Sequence, residues 1–200
     1  MTALLSVREL DVNIGSVRVA AGLGFDLASG ERLAILGRNG TGKTTLLNTL
    51  AGLREAESGS IEVCGEGYET LGSRRAAQLR GLLPQGHLDA FQSTVLETAL
   101  IGRHPHLGRW DWEGRADERL AREALAAVDL AGFGAREVHT LSGGERQRLA
   151  IAALLAQQPR LYLLDEPLAY LDLNHQIAVL ELLSRRARED GVGIVMVLHD

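Results

Sequence analysis

The chain has 200 residues, 46% hydrophobic and 24% charged, with a formal net charge of −5 and an isoelectric point near 5.7. A chain of this length closes its own core without staples, and an acidic balance with no basic stripe excludes a nucleic-acid phosphate footprint. The longest apolar runs, Leu149 to Ala156 and Ile194 to Leu198, fall short of the roughly 18 residues a membrane span needs.

The N-terminus shows no cationic segment leading into an apolar run, so no export signal is expected. Cys64 is the one cysteine, which rules out an internal disulfide and fits a reducing compartment. Short alternating stretches at Leu5 to Ile14, Val17 to Val19 and Phe25 to Leu27, broken by Gly15, Gly22 and Gly24, predict small antiparallel strands. Glu31 to Leu36 reads as a buried strand and Thr44 to Ala51 as a helix closed by Gly52. Ile61 to Cys64 reads as a strand, and Ser73 to Arg80 as a short helix capped by Ser73, followed by a break over Gly81 to Gly86.

From Thr94 to Gln158 the pattern is helical. Thr94 and Glu97 form a capping box, and Ala116, Leu120, Ala124 and Val128 recur on one predicted face. Arg160 to Leu164 is then a strand, Asn174 to Glu189 a helix ending near Gly191, and Val192 to Leu198 an apolar strand. Strands alternating with helices imply a largely parallel sheet covered on both faces.

Among 21 lysines and arginines there is one lysine, Lys43. It lies in Gly37-Arg38-Asn39-Gly40-Thr41-Gly42-Lys43-Thr44, the G-x-x-x-x-G-K-[ST] pattern of a P-loop. Glycines there let backbone N–H groups face phosphate oxygens, the ammonium reaches the β/γ oxygens, and Thr44 offers its hydroxyl to Mg²⁺. The following helix N-terminus adds partial positive charge beneath the phosphates. A nucleoside triphosphate site is expected.

Leu161 to Leu164 ends in Asp165 and Glu166. Acids at the end of an α/β strand face the ligand crevice; Asp165 suits Mg²⁺ as a hard oxygen ligand, and Glu166 is a candidate base for the water attacking the γ-phosphate. Leu141-Ser142-Gly143-Gly144-Glu145-Arg146-Gln147 contains a capping box from Ser142 to Glu145. Its two first-turn glycines cost helix stability without aiding the cap, but bare N–H groups at a helix start suit a second phosphate-facing surface.

That segment resembles the signature motif of ABC-type ATPases. The same family carries a glutamine before its helical lobe, matched by Gln85, a Leu-Asp pair after the acidic strand, matched by Leu171-Asp172, and a histidine ending the last core strand, matched by His199. With the P-loop and acidic strand these appear in family order between Gly37 and Asp200.

The resemblance implies an ATPase with a P-loop NTPase core of mostly parallel sheet, an N-terminal antiparallel β subdomain and an inserted helical subdomain. The expected division is 1–86 and 157–200 for the core with its β part and 87–156 for the helices. It implies that Gly37 to Thr45 hold ATP, that Thr44, Gln85 and Asp165 hold Mg²⁺, and that Glu166, Gln85 and His199 serve hydrolysis. Two chains would pair head to tail, with Ser142, Gly143 and Gly144 of one completing the ATP site of the other.

Two departures stand out: Ile14 occupies the position where the family stacks an aromatic on adenine, and the family pattern continues past the point where this chain stops, implying an incomplete C-terminal end. Ile101-Gly102-Arg103-His104-Pro105-His106 and Leu171-Asp172-Leu173-Asn174-His175-Gln176 resemble the ATPases of bacterial importers for cobalamin, haem and ferric siderophores. His104 and His106 are read as solvated loop residues, not metal ligands. The implied partners are transmembrane permease subunits, a second copy, and indirectly a periplasmic binding protein, with no nucleic acid; the implied location is the cytoplasmic face of the inner membrane, peripherally bound. Two alternatives remain at this point: a soluble non-transport ATPase of the same type, or one serving a different solute.

Overall fold

In a computed structural model the structure describes residues 3–86, 93–108 and 110–198. In chain order the elements are β1 (Leu5–Ile14), β2 (Val17–Leu27), β3 (Arg32–Leu36), α1 (Lys43–Leu50), β4 (Ser58–Val63), β5 (Glu66–Gly67), α2 (Tyr68–Leu79), β6 (Arg80–Leu83), α3 (Val95–Leu100), α4 (Arg115–Ala126), α5 (Gly143–Gln157), β7 (Leu161–Asp165), α6 (Leu173–Asp190) and β8 (Gly193–Leu198). They fall into two compact units: residues 1–85, 159–167 and 185–200, and residues 86–158 and 168–184.

The first unit holds two sheets. One is antiparallel, in the order β2-β1-β4-β5; the other runs β3-β8-β7-β6 with every neighbouring pair parallel. Gly15 turns the first hairpin at φ +57°, but Gly22 and Gly24 do not break it. The chain carries on through them as one long strand, taking up the irregularity as register shifts between Val7 and Asn13 of β1, as bulges do.

Helix α1 packs between the sheets. Its Leu47 and Leu50, with Ala51, share one core with Leu5, Val7 and Leu10 of β1 and with Leu161, Leu163, Val195 and Val197 of β7 and β8. Burying a leucine such as Leu47 contributes about 1.5–3 kcal/mol. The β7 strand is buried throughout, as expected of a parallel strand covered on both faces.

Three expectations need correction. The stretch expected as a break over Gly81 to Gly86 opens as strand β6, which takes Arg80 from the end of the expected helix and is set by parallel pairing with β7, not by its own pattern. The β3 strand is not buried: as the edge of its sheet it leaves Leu36 62% exposed, because apolar content alone does not separate an edge strand from a central one. Helix α2 begins at Tyr68, ahead of Ser73, and breaks at Gly72, which takes φ +67° and ψ 160°; a short helical turn ahead of the break left no periodic signal.

In the second unit Thr94 and Ser142 both cap as expected, each with a reciprocal bond from the glutamate three residues on, into α3 and α5. A turn of 3₁₀ helix covers Ile101–His106. The buried face of α4 consists of Ala121, Ala124 and Leu125, with Val128 just after it, whereas Ala116 is exposed and Leu120 half-buried. The face begins a turn later because Ala116 lies in the helix's first turn.

Candidate functional site

Parallel strands deliver all their carboxyl ends to one edge of the sheet, the place where α/β proteins present residues to ligands. The loop 37–42 follows β3, Pro84 to Gly86 follow β6, and Glu166 follows β7. His199, which follows β8, lies outside the described residues.

In the glycine loop, Gly42 takes φ +91°, and a Cβ there would lie 2.5 Å from Val19 Cγ2 and 3.3 Å from Ile14 Cδ1. The hairpin thus packs directly on the start of α1, and only glycine fits between them. Helix α1 has no side-chain cap and no acid in its first turn, so nothing there offsets the partial positive charge of its N-terminus. Lys43 is 9% exposed. Its Nζ donates to the carbonyls of Gly37 at 2.5 Å and Arg38 at 3.0 Å, so the ammonium lies inside the curve of its own loop. Thr41 Oγ1 donates to Arg38 O at 2.8 Å and tightens the turn. Arg38, Asn39, Gly40 and Thr44 are exposed and Thr45 half-buried.

Asp165 closes β7 at 2% exposure. Glu166 leaves the strand in the left-handed region, at φ +51°, while its N–H donates to Val197 O at 3.1 Å. A non-glycine residue in that region costs free energy, and such strain collects at functional sites. Gln85 Nε2 donates to Glu166 Oε1 at 2.8 Å, joining two candidate residues 81 positions apart in the chain.

The oxygens of Thr44, Gln85 and Asp165 are hard donors of the kind Mg²⁺ takes. No group of three or more His, Cys, Asp or Glu suited to a metal occurs among the described residues. A single carboxylate with neutral oxygens fits Mg²⁺, which is held by one or two carboxylates, water and substrate phosphates.

In the second unit Ser142 Oγ accepts the Glu145 N–H at 3.2 Å, and Glu145 Oε2 accepts the Ser142 N–H at 2.7 Å. The backbone bond from Ser142 holds the Glu145 carboxyl below the usual glutamate range. Gly143 and Gly144 follow directly as the first residues of α5.

Three contributors had gone unread in the sequence. Val19 walls Gly42; alternation in the hairpin shows that it packs but not on what. Arg103 is 7% exposed and ties three segments of the helical unit, though its sequence context marked only a subfamily. Tyr170 lies against Gly143, for which the sequence carries no signal.

A parallel sheet feeding a glycine turn, a buried lysine curled into that turn, and paired acids at the carboxyl end of another strand of the same sheet define a P-loop nucleotide-binding protein. The family model described as "ABC transporter" matches residues 20–169. The chain is 42% identical over 201 residues to the hemin import ATP-binding protein HmuV of Deinococcus radiodurans, spanning 98% of this chain and 75% of that protein. A solved structure described as an inward-facing conformation of a metal-chelate type ABC transporter is 35% identical, with TM-score 0.84 over 100% of this chain and 74% of that one. A dimeric ATP-binding cassette in a post-hydrolysis state with ADP and Pi is 25% identical, with TM-score 0.83 over 98% and 88%. The chain belongs to the ABC transporter family.

Proposed function

We propose that the chain binds ATP and hydrolyses it to energise import of a metal chelate, such as haem, a ferric siderophore or cobalamin, through separate membrane subunits. The observation that carries the hydrolytic part is the Gln85–Glu166 hydrogen bond of 2.8 Å at the carboxyl edge of the parallel sheet. In this reading the bond orients the carboxylate that polarises a water. The importer part rests on the similarity to HmuV and to the metal-chelate type transporter.

In this reading the backbone N–H groups from Gly37 to Thr45 and the Lys43 ammonium grip the phosphates. Lys43 exchanges the carbonyls of Gly37 and Arg38 for β/γ oxygens. Ile14 and Val19, beside the start of α1, offer adenine aliphatic contact in place of an aromatic face. Thr44, Gln85 and Asp165 would hold Mg²⁺, which neutralises charge on the β- and γ-phosphates when bound. Glu166 accepts the proton of a water whose oxygen forms a bond to the γ-phosphorus. The bond from that phosphorus to the ADP oxygen breaks, leaving ADP and phosphate. His199 would hydrogen-bond the γ-phosphate.

A second copy, placed head to tail, would close each site with its Ser142, Gly143 and Gly144. As read from the sequence, residues 1–86 and 157–200 would form the core and 87–156 the helical subdomain that meets the permease, although 168–184 group with the helical residues in the structure. The chain would then sit peripherally on the cytoplasmic face of the membrane; no helix among the described residues is long and apolar enough to cross it.

The test is steady-state ATPase of Glu166→Gln beside equilibrium ATP binding. Loss of a general base predicts a fall in kcat of about 10²–10⁴ with binding kept. Near-normal turnover would remove Glu166 from the role. Import is tested by reconstituting the chain with candidate permease subunits and haem, where ATPase unaffected by the permease would exclude coupling.

A further inference from the structure

Strand order fixes which way a triphosphate lies on the glycine loop. Glu166, the candidate base at the γ end, follows β7, whereas the loop follows β3 at the edge of the same sheet, with β8 between the two. A triphosphate with its γ end toward β7 sends its nucleoside the other way, past the start of α1. What stands at the start of α1 is the tip of the first hairpin: a Cβ on Gly42 would lie 2.5 Å from Val19 Cγ2 and 3.3 Å from Ile14 Cδ1.

The hairpin register decides which side chains that tip offers. Ile14 pairs with Val17, and Asn13 with Arg18. Residues directly opposite one another share a face and successive residues alternate, so Ile14 and Val17 stand on one face and Asn13 and Arg18 on the other. Val19 belongs with Ile14, since the two side chains meet at the same point beside Gly42. The face turned to the glycine loop is therefore built of three β-branched aliphatic residues. Ile14 is 41% exposed, Val17 60% exposed and Val19 half-buried, which leaves apolar surface that a flat base would take out of water.

Adenine and guanine differ along one edge: adenine has an amino donor where guanine has an oxo acceptor. An aliphatic wall gives neither of them a partner. A site that hydrogen-bonds its substrate rejects a mismatched analogue by about 10⁴–10⁵, whereas an apolar contact rejects one of similar size only weakly. We propose that this hairpin face holds the nucleobase by apolar contact alone, so that the chain accepts purine nucleoside triphosphates as a class, GTP as well as ATP. This rests on the triphosphate reading above and adds to it the range of nucleotides that drive the protein.

The experiment measures kcat/KM of the unaltered chain for ATP and GTP, then equilibrium binding of ATP, GTP and inorganic tripolyphosphate to Ile14→Ser and Val17→Ser. The binding series, parent included, carries Glu166→Gln so that nucleotide survives the titration. The two nucleotides should be hydrolysed with efficiencies within about tenfold of each other. Each serine variant should lose affinity for ATP and GTP in parallel, by about threefold to tenfold, as apolar contact with the base is removed. Tripolyphosphate, which has no base, should bind both variants as it binds the parent.

A GTP efficiency more than about tenfold below that of ATP would overturn the proposal, because it requires a group that reads the edge of the base. So would serine variants that lose ATP but keep GTP, or that lose neither. Tripolyphosphate binding that falls in step with ATP would also overturn it, since the two residues would then be shaping the loop and not meeting the base. A parent that binds neither ATP nor tripolyphosphate, or an unaltered chain that hydrolyses neither nucleotide, would overturn the functional reading itself, and this inference with it.

Discussion

Replacing Arg103 with alanine removes a guanidinium shared by three parts of the helical unit. Its Nε pairs with Asp117 Oδ1 at 2.9 Å, with the two side chains 9% and 17% exposed, and its Nη1 donates to Ala156 O at 2.8 Å. Ala156 lies in the last turn of α5, whose carbonyls have no partner within the helix, and a cation there also complements the helix dipole. Removing one member of a buried ion pair costs about 3–5 kcal/mol. Asp117 keeps the Gly114 N–H at 3.0 Å and part of its side chain meets water, which places the loss at the low end, about 3 kcal/mol. In a chain of this size that lowers the melting temperature by about 6–12 °C.

The guanidinium bond is the main reason the Asp117 carboxyl is held below its ordinary value of 3.8. A depressed folded-state value contributes stability that is present above the unfolded value and lost as pH falls through the folded one. The gap between parent and Arg103→Ala should therefore be full at neutral pH and narrow below about pH 4. Thermal melts by circular dichroism at pH 7 and at progressively lower pH measure both effects. A neutral-pH shift under about 2 °C, or a gap that does not change with pH, would refute the assignment of a buried, coupled pair.

Lys43→Ala should abolish ATP binding with little change in melting temperature, because the ammonium's partners in the structure are loop carbonyls that water can serve instead. Fluorescent-nucleotide titration checks this, and unchanged affinity would discredit the cradle. Gly102→Ala should be among the most damaging single changes in the helical unit: its Cβ would lie 2.0 Å from the Ala153 carbonyl oxygen, a contact relieved only by moving backbone, either that of α5 or that of the 3₁₀ segment carrying Gly102. A drop of several degrees in melting temperature, alongside ATP affinity at the P-loop left intact at low temperature, is the expected pattern.

Much of the candidate site was legible because its chemistry is local. A glycine turn, a lysine and a hydroxyl must be consecutive to wrap one phosphate group, and a cap must lie three residues from its partner, so Gly37 to Thr44 and Ser142 to Glu145 could be read directly. Element order was legible for a similar reason, since strand and helix periods differ. Distances between segments far apart in the chain were not. The hydrogen bond from Gln85 to Glu166, and the packing of Val19 and Ile14 on Gly42, arise from strand order, which no short pattern encodes.

The sequence alone determined which residues have the chemistry to grip a triphosphate and where most of the strands and helices lie, because those properties are covalent or span only a few residues. Only the tertiary structure decided that β3 is an exposed edge, that Arg103 is a buried tie between segments, and that Tyr170 lies strained against Gly143. Exposure, burial of charge and backbone strain are set by what packs beside a residue, and that neighbour is chosen by the whole fold.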